Sequence, residues 1–258
     1  MTPENQTTAA TGPSSDPTAR ARARLREKST TNITAQFHEE YFRTRFVYDP
    51  RRDGIWREVV RYIQKLYIQD SDRVLDLGAG YCDFINHVVA KERHAVDIFT
   101  KLAKYAREGV VVHNHTCTEL TEFATHSMDV IFASNLFEHL THAELLETLA
   151  EIRRVLRPKG RLILLQPNFK YCYRTYFDDY THLQVFTHMG MYDLLEMAGL
   201  RVEKMHAKFL PVNMKSTLRL RIPCLPLVVR AYLHSPWKPR AGQMLAVATN
   251  ESPAYVEP

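Results

Sequence analysis

Two glycines and two acids carry the clearest chemical signal. In "RVLDLGAGYCDF" (Arg73 to Phe84) a strand-like apolar run contains Asp76 and ends on Gly78 and Gly80. Glycines at such a turn let the chain bend sharply and let a ligand approach the backbone with no Cβ in the way. Asp76 falls at the carboxyl end of the strand, where parallel sheets bind ligands. A second acid, Asp97, sits in the next strand-like run, "HAVDIF", about 20 residues on, where a carboxylate accepts the hydroxyls of a ribose. A dinucleotide would set its pyrophosphate against the following helix N-terminus, and Asp76 would repel it. Asp83 also occupies the place of the third glycine of the dinucleotide fingerprint. The pattern therefore favours an adenosyl amino acid, whose cationic amine suits Asp76, over a nicotinamide dinucleotide.

These residues need a sheet to hold them, and the chain alternates accordingly. Strand-like "RVLDL" leads to a helical "CDFINHVVAKE"; "HAVDIF" leads to a helical "TKLAKYARE". Then come "GVVVHN", "MDVIFAS", a helix from His142 to Leu156, and "GRLILLQPN". Alternation with nearly continuous β-branched strands predicts a parallel sheet covered on both faces. A helix Met189 to Ala198, a strand "RVEKMHAKF" and a last strand "GQMLAVATN" follow, and that late pair is expected to add one antiparallel member. Before the sheet, Ile55, Val59, Tyr62, Ile63 and Leu66 recur at helical spacing within an N-terminal helical cap over 32–70. Cys82 opens the first crossover helix, where negative φ is expected, so its side chain should narrow the pocket modestly. A thiol made reactive by the helix N-terminus is the alternative.

Several segments in this order carry a family resemblance. "VLDLGAGYCDF" resembles the first motif of class I S-adenosylmethionine-dependent methyltransferases. "MDVIFASNLFEHL" resembles the fourth-strand motif of their small-molecule type 11/23-like group. "IRRVLRPKGRLILLQPN" and "DDYTHLQVFTHMGMYDLLEMAGL" resemble the helix, turn and fifth strand of that group and the segment beyond. The likeness runs from about Arg73 to Leu200. It implies an α/β, Rossmann-like, doubly wound and mostly parallel sheet of about seven strands, with one antiparallel strand near the C-terminus. The implied cofactor is S-adenosyl-L-methionine. By the same resemblance Gly78 and Gly80 lie along its methionyl part, and Asp76 serves its ammonium. Asp97 takes the ribose and Ile98 lies along the adenine. Thr116 and Cys117 stand at the adenine edge, Thr116 where the family usually has an acid. Asn135 and Leu136 line the passage near the sulfonium.

Methyl transfer from a sulfonium is a displacement with a neutral leaving group, so alignment supplies most of the rate and a base is needed only for a protonated acceptor. His182 in "DDYTH" is the candidate base; its structural alternative is a hydrogen bond to Asp178 or Asp179 that fixes the loop. His139 in "FEHL" is expected to order the pocket wall. The segment "FKYCYRTYFDDY" places Tyr173, Tyr176 and Tyr180 on the acceptor side, as a lid or as packing, and Lys170 and Arg174 would favour an anionic group. His113 and His115 suggest a metal pair, but no acid is spaced in sequence to complete it, and a solvated loop accounts for them. Asp178 and Asp179 lack the context of metal-dependent catechol-type enzymes. No metal is expected.

The bulk properties bound the remainder. The chain has 258 residues, 45% of them hydrophobic, enough for one α/β domain over 32–258. Residues 1–31 are poor in aromatics and hold the basic cluster "RARARLREK", which predicts a disordered tail. Four scattered cysteines argue against a disulfide framework, and the N-terminus has no apolar signal core, so a cytoplasmic setting is expected. No run reaches the ~20 apolar residues of a spanning helix. Residues 211–239 mix apolar stretches with Lys and Arg, which suits peripheral contact at the inner face of a membrane, a wall over the substrate, or a dimer surface. The expected acceptor is a small molecule, or a saccharide or lipid-linked group, methylated at oxygen; a nucleic-acid partner is not expected. The competing readings are an NAD(P)-dependent oxidoreductase and a non-catalytic cofactor-fold module working through its basic segments.

Overall fold

Side chains alternate between two cores along every central strand. On β1 (Arg73–Leu77), Leu75 and Leu77 face one core, while Val74 faces the other. The same division splits Ile131 and Ala133 from Val130 and Phe132 on β4 (Met128–Ser134). A period of two with both faces apolar is what a sheet covered on both sides requires. In the computed structural model, residues 47–211 and 224–251 are described, together with Tyr41 and Thr44. The chain divides into two compact units, Met1–Phe46 and Val47–Pro258, and the sheet lies in the second. The expected tail over 1–31, most of the cap before Val47, and residues 212–223 lie outside the described residues.

The sheet has seven strands in the order β3-β2-β1-β4-β5-β7-β6, with β2 (Glu92–Val96), β3 (Val110–His113), β5 (Leu156–Pro167), β6 (Leu200–Pro211) and β7 (Ala241–Asn250). The five strands β1 to β5 pair in parallel. The last strand, β7, inserts antiparallel between β5 and β6, so the expected single antiparallel member is present. The strand order reverses at β1 and β4, whose carboxyl ends form the crevice where open α/β sheets bind ligands.

Helix α1 (Arg52–Tyr67) buries Trp56, Val59, Val60 and Ile63 against one face of the sheet. Helix α2 (His142–Val155) covers the other face with Leu145, Leu149 and Ile152. Its start is fixed by a capping box: the Thr141 hydroxyl accepts from Glu144 N, and the Glu144 carboxylate accepts from Thr141 N. A short helix α3 (Phe169–Cys172) follows β5, and α4 (His188–Met197) lies beside α2's core through Met191 and Leu195. Helix α5 (Leu225–His234) docks on α1, where buried Glu58 accepts from Arg230 at 2.7 and 3.2 Å.

The two expected crossover helices after β1 and β2 are absent. Each shrinks to a single 3-10 turn, Ile85–His87 and Leu102–Lys104. Side-chain bonds to backbone replace the helical ladder. Asn86 donates to Tyr105 O and accepts from Arg107 N, while Gln64 accepts from Val89 N and donates to Val89 O. Cys82 stops the helix at its start with φ 57°, against the expected negative value. Its side chain is wholly buried.

Candidate active site

The glycine turn is stitched to the end of β2. Gly78 N and Ala79 N donate to Val96 O at 2.9 and 3.1 Å, and Gly80 N donates to Asp97 Oδ2 at 2.7 Å. The other oxygen of Asp97 accepts from Phe99 N at 2.8 Å. Gly78 and Gly80 have φ of 73° and 53°, the left-handed region in which a side chain is strained. A Cβ on Gly78 would also meet Leu136 Cδ1 at 3.0 Å, so Leu136 lies directly over the turn. Asn135, at φ 49°, holds that neighbour in place: its side-chain oxygen accepts from Gln243 Nε2 at 2.8 Å. Ile98 is 43% exposed beside Asp97, an open apolar surface. Thr116 Oγ1 pairs with Thr118 Oγ1, and buried Cys117 accepts from Thr148 Oγ1 at 3.3 Å.

Electrostatics single out Asp76. It is 3% exposed, and burial holds its carboxyl well above the usual carboxylate range; the nearby Asp97 and Asp83 add to the effect, and a bond from the Ile85 backbone partly offsets it. Asp83 is raised too, by burial, against the opposing guanidinium of Arg52 at 2.5 Å. Three acids around one glycine turn suit a cationic amine and oppose a pyrophosphate. The Cys82 thiol is pushed up by burial and by the same acids, which runs against the reactive-thiol alternative.

The turn after β4 and the loop after β5 meet around His139 and His182. His139 Nδ1 lies 3.0 Å from Thr181 Oγ1, and the His139 and His182 rings are 5.0 Å apart. Asp179 accepts from Thr181 N and Oγ1, and its own carbonyl accepts from His182 N. Glu138, 1% exposed, sets one donor atom within 4.8 Å of those of His139 and His182. With its amide turned to satisfy both partners, Gln166 donates to Glu138 Oε2 at 2.5 Å and accepts from Phe137 N. Tyr173 and Tyr180 are exposed. Tyr176, read as part of a lid or as packing, is buried: its hydroxyl donates to Gln184 O and its ring packs 4.5 Å from that of His182.

Comparison with known proteins decides the class. Residues 75–164 match the model of a methyltransferase domain. Those residues form an S-adenosylmethionine-dependent methyltransferase domain. Over 116 residues the chain is 28% identical to an uncharacterized protein of Methanocaldococcus jannaschii, covering 44% of this chain and 49% of that protein. The chain thus spans about half the length of that curated relative. It is similar in fold to a solved complex of the Haloferax volcanii Trm112 methyltransferase activator with a methyltransferase, at TM-score 0.59 and 16% identity over 78% of this chain and 91% of that one. It is likewise similar to an S-adenosylmethionine-dependent methyltransferase of Archaeoglobus fulgidus, at TM-score 0.57 and 20% identity over 77% and 94%. These likenesses carry the fold; the matched domain carries the cofactor, S-adenosylmethionine.

The fold brings together groups that sequence reasoning passed over. Tyr48, Tyr81, Phe99 and Tyr105 form an aromatic cluster beside the glycine turn, with Tyr81 and Tyr105 centroids 4.6 Å apart, and burial pushes the Tyr81 phenol up to about 12. Glu138 and Gln243 also join the crevice, each placed by a fold contact with no local motif. At the sheet edge, His113 and His115 gain an acid. His113 ends β3, not a solvated loop, and Glu122 reaches both rings. The sequence rule that no acid completes this pair is corrected by the bend of the chain between Thr116 and Phe123.

Proposed function

We propose that the whole protein methylates a small-molecule, saccharide or lipid-linked acceptor at oxygen, using the glycine turn as the cofactor cradle and the loop after β5 as the acceptor wall. The observation that carries this reading is Asp76, a buried acid raised by its surroundings at the mouth of a glycine turn. A cationic amine beside it returns the carboxylate to its charged form. S-adenosylmethionine supplies that amine together with a methyl on a sulfonium.

The chain's own residues then divide the work. Gly78 and Gly80 take the left-handed backbone that turns the chain along the methionyl part, and Leu136, seated on Gly78, closes it with Asn135 from the β4 side. Asp97, fixed at the end of β2 by accepting from Gly80 N and Phe99 N, is the acid placed to accept from ribose hydroxyls. Ile98 offers its exposed surface to the adenine, with Thr116 and Cys117 at its edge. His182 takes the proton of a hydroxyl acceptor at Nδ1 or Nε2, with Tyr176 orienting its ring. His139 and Glu138 support that ring from β4's turn. Tyr173 and Tyr180 form the open rim, and Lys170 and Arg174 favour an acceptor bearing an anion.

Two variants test the division of labour. Asp97→Ala should weaken binding of the demethylated cofactor by about 1–3 kcal/mol through lost charge-assisted bonds, measured by calorimetry. His182→Ala should slow turnover of labelled S-adenosylmethionine on the acceptor, identified by mass from a cell extract, with cofactor affinity unchanged. Equal losses in both measurements for both variants would refute it.

A second reading adds a place of action. Leu227, Val228 and Trp237 are exposed on and beyond α5, within the segment expected to meet a membrane. Their exposure supports a cytoplasmic protein resting on the inner face of the bilayer, where a lipid-linked acceptor would be found. Among the described residues no helix is long and apolar enough to cross a membrane.

A further inference from the structure

The geometry points to a divalent metal site, of the zinc type, at the edge of the sheet, formed by His113, His115 and Glu122. The ligating atoms of these three residues all lie within 4.8 Å of one another. His113 Nδ1 is 3.1 Å from Glu122 Oε1, and His115 Nε2 meets the same oxygen. Strand β3 supplies the first imidazole, the residue two places on supplies the second, and the chain returns after Leu120 to bring the carboxylate.

Hydrogen counting shows why a cation belongs there. His115 Nδ1 lies 2.9 Å from Thr116 O, and a carbonyl only accepts, so that nitrogen carries the ring hydrogen. The other nitrogen of the neutral ring then points a lone pair at the Glu122 carboxylate. Two acceptors face each other, and the arrangement is attractive only with a positive centre between them. A proton would serve one such pair. The convergence of a second imidazole on the same oxygen suits a metal ion, which accepts lone pairs from all three.

The surroundings complete the pattern of a metal site. Metal-bound imidazoles donate their remaining N–H to a carbonyl, a carboxylate or another acceptor, which fixes ring orientation. His115 does so to Thr116 O. His113, turned by its Nδ1 toward Glu122, sets Nε2 at 3.1 Å from His94 Nδ1. His94 Nε2 in turn lies 3.7 Å from Glu92 Oε2. The hydrogen on His113 Nε2 then points at His94 Nδ1, which leaves His113 Nδ1 to ligate. Phe123 packs against both rings, 5.4 Å from His94 and 4.8 Å from His113, and gives the site an apolar wall. His115 and Glu122 retain partial exposure, which leaves a path for the ion. Two imidazoles and one carboxylate form a three-ligand set that keeps a fourth position for water, and the mixed nitrogen and oxygen donors suit zinc over magnesium or calcium.

The test uses the full chain, stripped of metal by chelator and dialysis. Zinc titrated by calorimetry should bind with one equivalent per chain, and cobalt(II) in its place should give visible absorption bands of a low-coordinate nitrogen–oxygen site. Glu122→Gln and His115→Ala should each weaken zinc binding more than about 100-fold, and His94→Phe, acting through His113, by about 10–100-fold. Zinc should also raise the unfolding temperature of the parent chain and leave that of the His113→Ala/His115→Ala double variant unmoved. Absence of zinc binding to the folded parent chain would overturn the proposal and leave a shared proton between His115 and Glu122. Undiminished binding by the double variant would overturn it too, placing the ion elsewhere. Neither result bears on the cofactor cradle, whose affinity is read separately.

Discussion

Asp76 makes the residue scale measurable. Its folded value is raised, so between about pH 4 and that value the folded chain holds a proton that the unfolded chain has released. Stability therefore falls as pH rises through this window, the reverse of a salt-bridged carboxylate. Asp76→Asn should raise the thermal midpoint at neutral pH relative to the parent and flatten this part of the pH profile. The same substitution should weaken binding of the demethylated cofactor more than about 10-fold, since a charge-assisted bond is lost. A variant that is stabler and still binds fully would sever Asp76 from the amine. Cysteine chemistry gives a second residue-scale outcome. Cys82, Cys117 and Cys172 are buried with their thiols pushed up, while Cys224 is exposed. Brief treatment of the native chain with iodoacetamide should give one adduct, located by mass spectrometry at Cys224. The glycines and acids of the turn after β1 were legible because a strand, a turn and an acid lie close in sequence. Glu138, Gln243 and Glu122 were not, because each acts across a strand or loop that only the folded sheet brings near.

At the scale of elements, alternation alone specified the strands and their two apolar faces. The crossover helices failed that logic. "CDFINHVVAKE" has helical spacing, yet Cys82 in the left-handed region and the fold-wide bonds of Asn86 and Gln64 override it. Propensity is a weak prior where tertiary partners satisfy the backbone better. The join between α2 and β5 shows how few groups hold such elements. Asn250 donates to Arg153 O at 2.9 Å and to Leu156 O at 2.7 Å, closing the helix end and the strand start at once. Asn250→Ala should cost about 1–3 kcal/mol in denaturant unfolding, because two carbonyls lose their donor in a buried setting. A loss below a few tenths of that range would mean water replaces the amide.

At the scale of the whole molecule, the formal charge of +5 and the exposed apolar side chains of α5 belong to one prediction. Anionic vesicles should sediment the chain more than neutral ones, with binding falling as salt rises, and Trp237→Ala should reduce the salt-resistant part. Equal recovery with and without vesicles would remove the membrane from the account. The molecule has a further property rooted in β7. That strand is buried along its whole length between β5 and β6. As a growing chain leaves the ribosome, β1 to β5 can pair in turn, but β6 has no strand neighbour until β7 has emerged. The assembly of this half therefore waits for β7, and a nascent chain halted before Ala241 would present two sticky strand margins to chaperones or to its own copies.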